Sequence, residues 1–520
     1  MRKAFVAALA VGAALPLASP AWAAEDAFNS QGLRKAVTVE GVREHQTALQ
    51  AVADANNGTR ASGTPGYAAS AAYVRERLES AGYEVTEQQF SFPWATTDQS
   101  RLLRLSPDPE TYTVGTDFRR FNTGSTNGTA TGQLQAPPLS KSGCTAADFT
   151  GFTPGNIALI ERGPAGCGFN LKATNAAAAG AVGVLIYNNA AGPAPTNLTI
   201  ANPDGTAFPL PALITSQAVG AELVALLATG PVRMEMESKL FTEFRSTTNL
   251  WAETSGDPDR TVVVGAHLDS VPAGPGINDN GSGSGGILEI AEQYAERGLE
   301  PRNRIRFMWF GAEERGLLGS NYYVDQLTED EKDQILVNLN FDMIGSPNGA
   351  RLVYDGDNSA FPVGPGAAEG PEGSGLIEGV FASYFRNQGL SYAPTAFSGR
   401  SDYGRFIANG IPAGGLFTGA EGPCTARYGE LFGCTVGMQL DPCYHQACDT
   451  LMNVKLPLLH EMTDAAAHAT YTFAQTKADI VDEGVLRTGT STPDTEADTA
   501  AGTGDGGLHP PHEDEEPLAE

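Results

Sequence analysis

Residues 265–292 read GAHLDSVPAGPGINDNGSGSGGILEIAE. Two chemistries compete for this stretch. Gly281, Gly283 and Gly286 spell the G-x-G-x-x-G pattern of dinucleotide-binding loops, whereas His267, Asp269 and Asp279, just upstream, look like metal chemistry. A dinucleotide fingerprint needs a strand running straight into the first glycine, then a helix whose N-terminus faces the pyrophosphate. Here VPAGPGINDN separates the strand from Gly281, and Asp279 stands where a phosphate would have to sit. The glycines instead suit a loop that closes round an ion and starts a helix at about Ser284.

The segments around the loop set its context. RTVVVGAHLD, RNRIRFMWFGAEE, ILVNLNFDMIG and IPAGGLF read as strands, and GILEIAEQYAERG as a helix. Strands alternating with helices predict an α/β fold, a largely parallel central sheet covered on both faces. Such sheets carry ligands at the carboxyl ends of their strands. The first three strands end at His267 and Asp269, at Glu313 and Glu314, and at Asp342. Carboxylates gathered there are costly to bury unpaired, and a cation removes that cost. The chain has seven histidines, and two of them, His267 and His445, fall in loops with acidic or cysteine context. Two His, two Asp and two Glu form an oxygen-rich set with one imidazole per ion, which suits two Zn²⁺. Ions about 3.5–4 Å apart need a bridging carboxylate, and Asp279, between the strands, is the candidate.

A chain of 520 residues exceeds one ordinary domain. A net charge of −28 makes nucleic acid and anionic membranes poor partners. MRKAFVAALAVGAALPLASPAWAAED reads as a secretory signal peptide over residues 1–23, with Arg2 and Lys3 before an apolar run and Ala21-Trp22-Ala23 as the cleavage site. The alternative, a membrane anchor, is disfavoured by the shortness of the run and by Pro16 and Pro20. Export makes six cysteines a disulfide framework. The natural local pairs are Cys144 with Cys167, Cys424 with Cys434, and Cys443 with Cys448; a zinc-thiolate site in the last four is the alternative, although they lack C-x-x-C.

Residues 24–115 open with helical patterning, including YAASAAYVRERLESAGYEV, which ends at Gly82 before the strand VTEQQFSF. Over 116–240 charge thins and short strands alternate with turns around the Ala-rich helix FNLKATNAAAAG, a small β-rich insert. The α/β part occupies 241–478. Residues 488–520, acidic and without Lys or Arg, read as a disordered tail.

HLDS…NDNGSG, FGAEERGLLGS, NFDMIG, GRSDYGRF and CYHQACDT together resemble secreted co-catalytic dizinc aminopeptidases, the aminopeptidase Y and bacterial leucyl aminopeptidase family. The insert, through GNIALIERGPAGCGFNLKATNAAAAGAVGVLIYNN, resembles a protease-associated domain, with Cys144–Cys167 as its disulfide. The resemblance implies a zinc-exopeptidase fold and two Zn²⁺ per chain. His267 and Asp342 would bind one ion, Glu314 and His445 the other, and Asp279 would bridge. Asp269 would hydrogen-bond the His267 ring, Glu313 would be the general base, and Tyr444 would donate to the developing oxyanion. Arg400 to Tyr403, including Asp402, would shape the pocket for the substrate amine, although Tyr403 stands where members of the family often have His. The Cys443–Cys448 disulfide would fix the His445 loop. The expected substrates are peptides with a free N-terminus, and the expected oligomeric state is a monomer.

Three other functions share the scaffold. A glutaminyl cyclase uses one zinc, and two complete ligand sets argue against it. A dizinc carboxypeptidase of the glutamate-releasing type needs a basic pocket, for which Arg315, Arg400 and Arg405 are the sparse candidates. An inactive binding module would require a broken ligand set, and every expected ligand is present.

Overall fold

A computed structural model describes residues 29–163, 166–202, 206–478 and 480. The expected signal peptide and the acidic tail from 488 onward lie outside the described residues. The chain divides into two units, one of residues 1–92 with 246–520 and one of 93–245.

The larger unit is built on an eight-stranded sheet whose strands are β1 (Val85–Asp98), β2 (Leu240–Glu253), β3 (Asp257–His267), β4 (Asn303–Phe310), β5 (Ile335–Phe341), β6 (Leu352–Tyr354), β7 (Ala393–Thr395) and β8 (Ala413–Phe417). Their order is β1-β2-β4-β3-β5-β8-β6-β7. The centre, β4-β3-β5-β8, is parallel, and antiparallel pairs flank it. All seven residues of β5 are buried, as a strand covered on both faces requires.

Five longer helices are α1 (Val39–Ala55), α2 (Pro65–Ser80), α3 (Gly281–Glu296), α4 (Ser374–Gln388) and α5 (Leu456–Gln475). Thr38 and Thr64 cap α1 and α2 through their hydroxyls. Helix α3 is buried along most of its first three turns, and α1, α2 and α5 pack against it. It begins at Gly281 rather than near Ser284, because the Asn280 side chain accepts the Gly283 N–H at 2.9 Å and so closes the first turn earlier. The fingerprint glycines serve close packing. A Cβ at Gly283 would stand 2.1 Å from the Phe341 carbonyl oxygen, and one at Gly281 would stand 3.1 Å from that of Gly276.

The second unit holds a sheet in which Gly128–Gln135, Ile157–Glu161, Gly183–Tyr187 and Ala212–Thr215 run parallel. Helices Phe169–Ala178 and Gln217–Thr229 accompany it, and Cys144–Cys167 is a disulfide. The unit starts at Pro93, whereas the change of composition falls at 116. Arg101–Ser106 pairs antiparallel with Arg233–Ser238, so these earlier residues belong to the insert's hydrogen-bonded sheet. The other two disulfides are Cys424–Cys434 and Cys443–Cys448, so the last four cysteines leave no thiolate for a zinc site. No described helix is long and apolar enough to cross a membrane.

Candidate metal centre

Three adjacent parallel strands deliver the site. His267 is the last residue of β3, beside Phe310 of β4. Glu313 and Glu314 follow β4 in a short turn, and Asp342 follows β5. Ala312, Met343 and His445 have φ of 54°, 49° and 56°, a left-handed backbone that side chains rarely adopt. His445 is a ligand candidate, Met343 adjoins the candidate Asp342, and Ala312 adjoins the candidate base Glu313, as expected where local strain serves a site.

The candidate ligands form two clusters that share one residue. Nε2 of His267 lies 3.2 Å from Asp279 Oδ1 and 3.2 Å from Asp342 Oδ1. Nε2 of His445 lies 3.4 Å from Asp279 Oδ2 and 3.0 Å from Glu314 Oε2. Asp279 thus turns one oxygen to each histidine. Within each cluster the ligand atoms lie within 4.8 Å of one another. Glu313 Oε2 is 4.0 Å from His267 Nε2; Glu313 lies outside the two sets that share Asp279 but forms a third group with His267 and Glu314.

The charges fit cations. Burial first, and then Glu314, Asp402 and Asp342, push the Glu313 carboxyl well above the usual carboxylate range, against the pull of His267. Burial and Asp279 raise Glu314 to about 7. Burial disfavours the charged form of His445, but Glu314 and Asp279 outweigh it and raise the ring to about 11. Asp279 is buried too, yet the two histidines hold it below its ordinary value. One oxygen of Glu314, Oε1, is buried without a hydrogen-bond partner. A site this rich in negative charge suits a bound cation, and its imidazole and carboxylate groups are of the kind that bind zinc.

Neighbours fix the ligands. The His267 ring bonds through Nδ1 to the main-chain oxygen of Asp269 at 3.1 Å. The Asp269 carboxylate, expected to make that bond, lies 3.7 Å from Nδ1 and accepts the Glu313 N–H at 3.2 Å instead. Ser401, inside the Arg400–Tyr403 segment expected to shape the pocket, donates instead to Asp342 Oδ2 at 2.6 Å and accepts from Asn340 Nδ2 at 2.8 Å. Asp449, which the sequence reading passed over, accepts the N–H groups of Asn278 and Asp279, both at 2.9 Å. The pattern S-D-Y signalled Asp402, one residue from Ser401. Asp402 itself is fully buried and absent from the cavity wall, and burial raises it to about 7.

A cavity of about 400 Å³ opens on the centre. Asp279, Glu313, Asp342 and His445 line one end, and Met343, Leu352, Tyr354, Phe361, Phe417 and Leu440 supply apolar wall. Tyr444 stacks on His445, with ring centroids 3.8 Å apart. Arg400 donates to the Tyr444 hydroxyl at 3.1 Å and to Glu421 at 2.7 Å. Tyr403 is buried against Tyr354 and Phe397, and its hydroxyl accepts the Gly399 N–H at 3.0 Å.

Strand-end His and carboxylate groups, a shared Asp279 and an apolar cavity make a candidate metal centre on an α/β fold. A family model for peptidase family M28 matches residues 249–470, and one for the PA domain matches 130–223. An aminopeptidase of Pseudomonas aeruginosa is 40% identical over 88% of this chain and 85% of its own. Leucine aminopeptidase 2 of Arthroderma otae is 42% identical over 66% of this chain and 70% of its own. Among solved structures, the aminopeptidase from Aneurinibacillus sp. strain AM-1 aligns with a TM-score of 0.50 at 26% identity, covering 87% of this chain and 98% of that one. The chain belongs to peptidase family M28, with a PA domain inserted in its peptidase domain.

Proposed function

We propose that the protein is a secreted aminopeptidase that removes the N-terminal residue of peptides at a two-zinc centre. The observation that carries this reading is the division of Asp279 between two His-carboxylate sets. His267 and Asp342 would hold one ion, Glu314 and His445 the other. Bound there, zinc would supply Lewis acidity, lowering the pKa of a bound water and polarising the scissile carbonyl. Glu313, outside the two sets that share Asp279, would take the water's proton and return it to the leaving amine. Tyr444 accepts from Arg400, which leaves its own proton free to meet the developing oxyanion.

The acid-rich end of the cavity suits a free α-ammonium group. The apolar wall suits an apolar first side chain, in keeping with the relatives named leucine aminopeptidase. Arg400 is already paired with Glu421, so it offers little to a substrate C-terminal carboxylate, which disfavours the carboxypeptidase alternative. Three disulfides accord with an exported protein. Metal analysis after dialysis against zinc should give two ions per chain; one or none would refute the two-zinc reading.

A further inference from the structure

Arg60 lies between α1 and α2, far in sequence from the metal-ligand loop, and is completely buried. Its guanidinium donates to three main-chain oxygens of that loop: to Pro275 at 2.7 Å, to Gly276 at 2.6 Å and to Leu268. Its own N–H donates to Ser270 Oγ at 3.0 Å, and the neighbouring Thr59 hydroxyl donates to the Val271 oxygen at 2.9 Å. The loop is shaped around this side chain. Gly276 has φ of +61°, and a Cβ there would stand 2.3 Å from the Asp279 oxygen and 3.2 Å from the Arg60 guanidinium.

A buried cation that finds only neutral carbonyls as hydrogen-bond partners is costly. Here the acids beyond those carbonyls compensate. Burial pulls Arg60 down to about 10, while Asp269, Asp449, Asp279 and Glu314 favour its charge, so it stays charged at neutral pH. The planar fork reaches three carbonyls at once, which a lysine ammonium on its flexible stem cannot reproduce.

We propose that Arg60 is a positioning residue that pre-forms the loop of Leu268–Asp279, setting Asp279 between the two histidines before any ion arrives. It touches no substrate. The loop is therefore built by the protein, and ions enter a finished cradle. The zinc arm of the test rests on the function proposed above; the folding arm does not.

The experiment is amide hydrogen exchange on the wild-type protein, stripped of metal and reloaded with zinc, and on Arg60→Lys and Arg60→Met. The reporters are the amides of Ile277, Asn278, Asp279 and Gly281, which bond to Asp449 and Gly276. In wild type they should be protected equally with and without zinc. In both variants they should exchange at least about tenfold faster without metal. Zinc affinity, read by competition with a chromogenic chelator, should fall about 10–100-fold, as for other residues that orient ligands. kcat should fall while KM stays within about twofold. Free exchange of these amides in metal-free wild type would overturn the proposal, and this arm decides even if a variant does not fold. So would variants with wild-type zinc affinity, or a raised KM at constant kcat. Wild-type protein that binds no zinc yet keeps the loop protected would refute the proposed function and leave the role of Arg60 standing.

Discussion

Replacing Asp449 by Asn should weaken both ions at once. Asp449 is 2% exposed, and its two oxygens accept the Asn278 and Asp279 N–H groups while Oδ1 also accepts from Asn453 Nδ2 at 3.0 Å. Asparagine supplies one oxygen for these donors and turns an NH₂ toward one of them. One charge-assisted bond is lost, worth about 1.5–3 kcal/mol, and one buried N–H is left facing a donor, for about 1–3 kcal/mol more. Metal-free stability should therefore fall by about 2.5–6 kcal/mol in a urea titration. The displacement falls on Asp279, which faces both His267 and His445. Stepwise zinc competition should show both sites weakened, by about 10–100-fold each. Weakening of one site alone, or loss of stability with both affinities intact, would refute the shared-bridge reasoning.

Three further outcomes follow from the same geometry. Glu313→Gln should keep both ions and lose about 10²–10⁴-fold in kcat, the range for a missing acid–base group; full turnover would remove Glu313 from that role. His445→Ala should bind one zinc per chain by metal analysis, because His267 and Asp342 sit in the other set; two ions would contradict the assignment. His468, half-buried beside Tyr384 and near Arg34, is held down to about 4, by desolvation first and by the Arg34 charge. A histidine lowered in the folded state takes its proton more readily when unfolded, so its contribution is intact above about pH 6.5 and is lost as pH falls toward 4. Wild type should lose about 3 kcal/mol more than His468→Gln across that window in urea titrations; equal slopes would refute the shift.

The strand-end positions of the candidate side chains were legible because continuous apolar runs ending in His or acid can only present those groups at the carboxyl edge of a parallel sheet. His267, Glu313, Glu314 and Asp342 follow that logic, and β4, β3 and β5 are neighbours as it requires. Asp279 was legible as the one acid in a glycine loop too long for a phosphate turn. Asp449 and Arg60 were not, since each acts on a residue distant in sequence through a bond that no local pattern encodes, and the motif that holds Ser401 gave no sign of its bond to Asp342. The start of α3 was misplaced because glycine is a poor helix former, and only the Asn280 cap reveals that the turn is already closed. The bond to the His267 ring was attributed to the Asp269 side chain, and nothing in the residue type distinguishes that from the main-chain oxygen that makes it. The insert's edge was set by composition, whereas β-pairing sets it in the fold.

The central claim is that a two-zinc centre cleaves only from a free N-terminus. The most direct measurement incubates the protein with aminoacyl-arylamides and with N-blocked peptides, with a zinc chelator and after zinc is restored. The account predicts cleavage of the free-amine substrates alone, strongest for apolar first residues, abolished by chelation and recovered with zinc. Cleavage of blocked peptides from their C-terminal end, or turnover indifferent to the chelator, would contradict it.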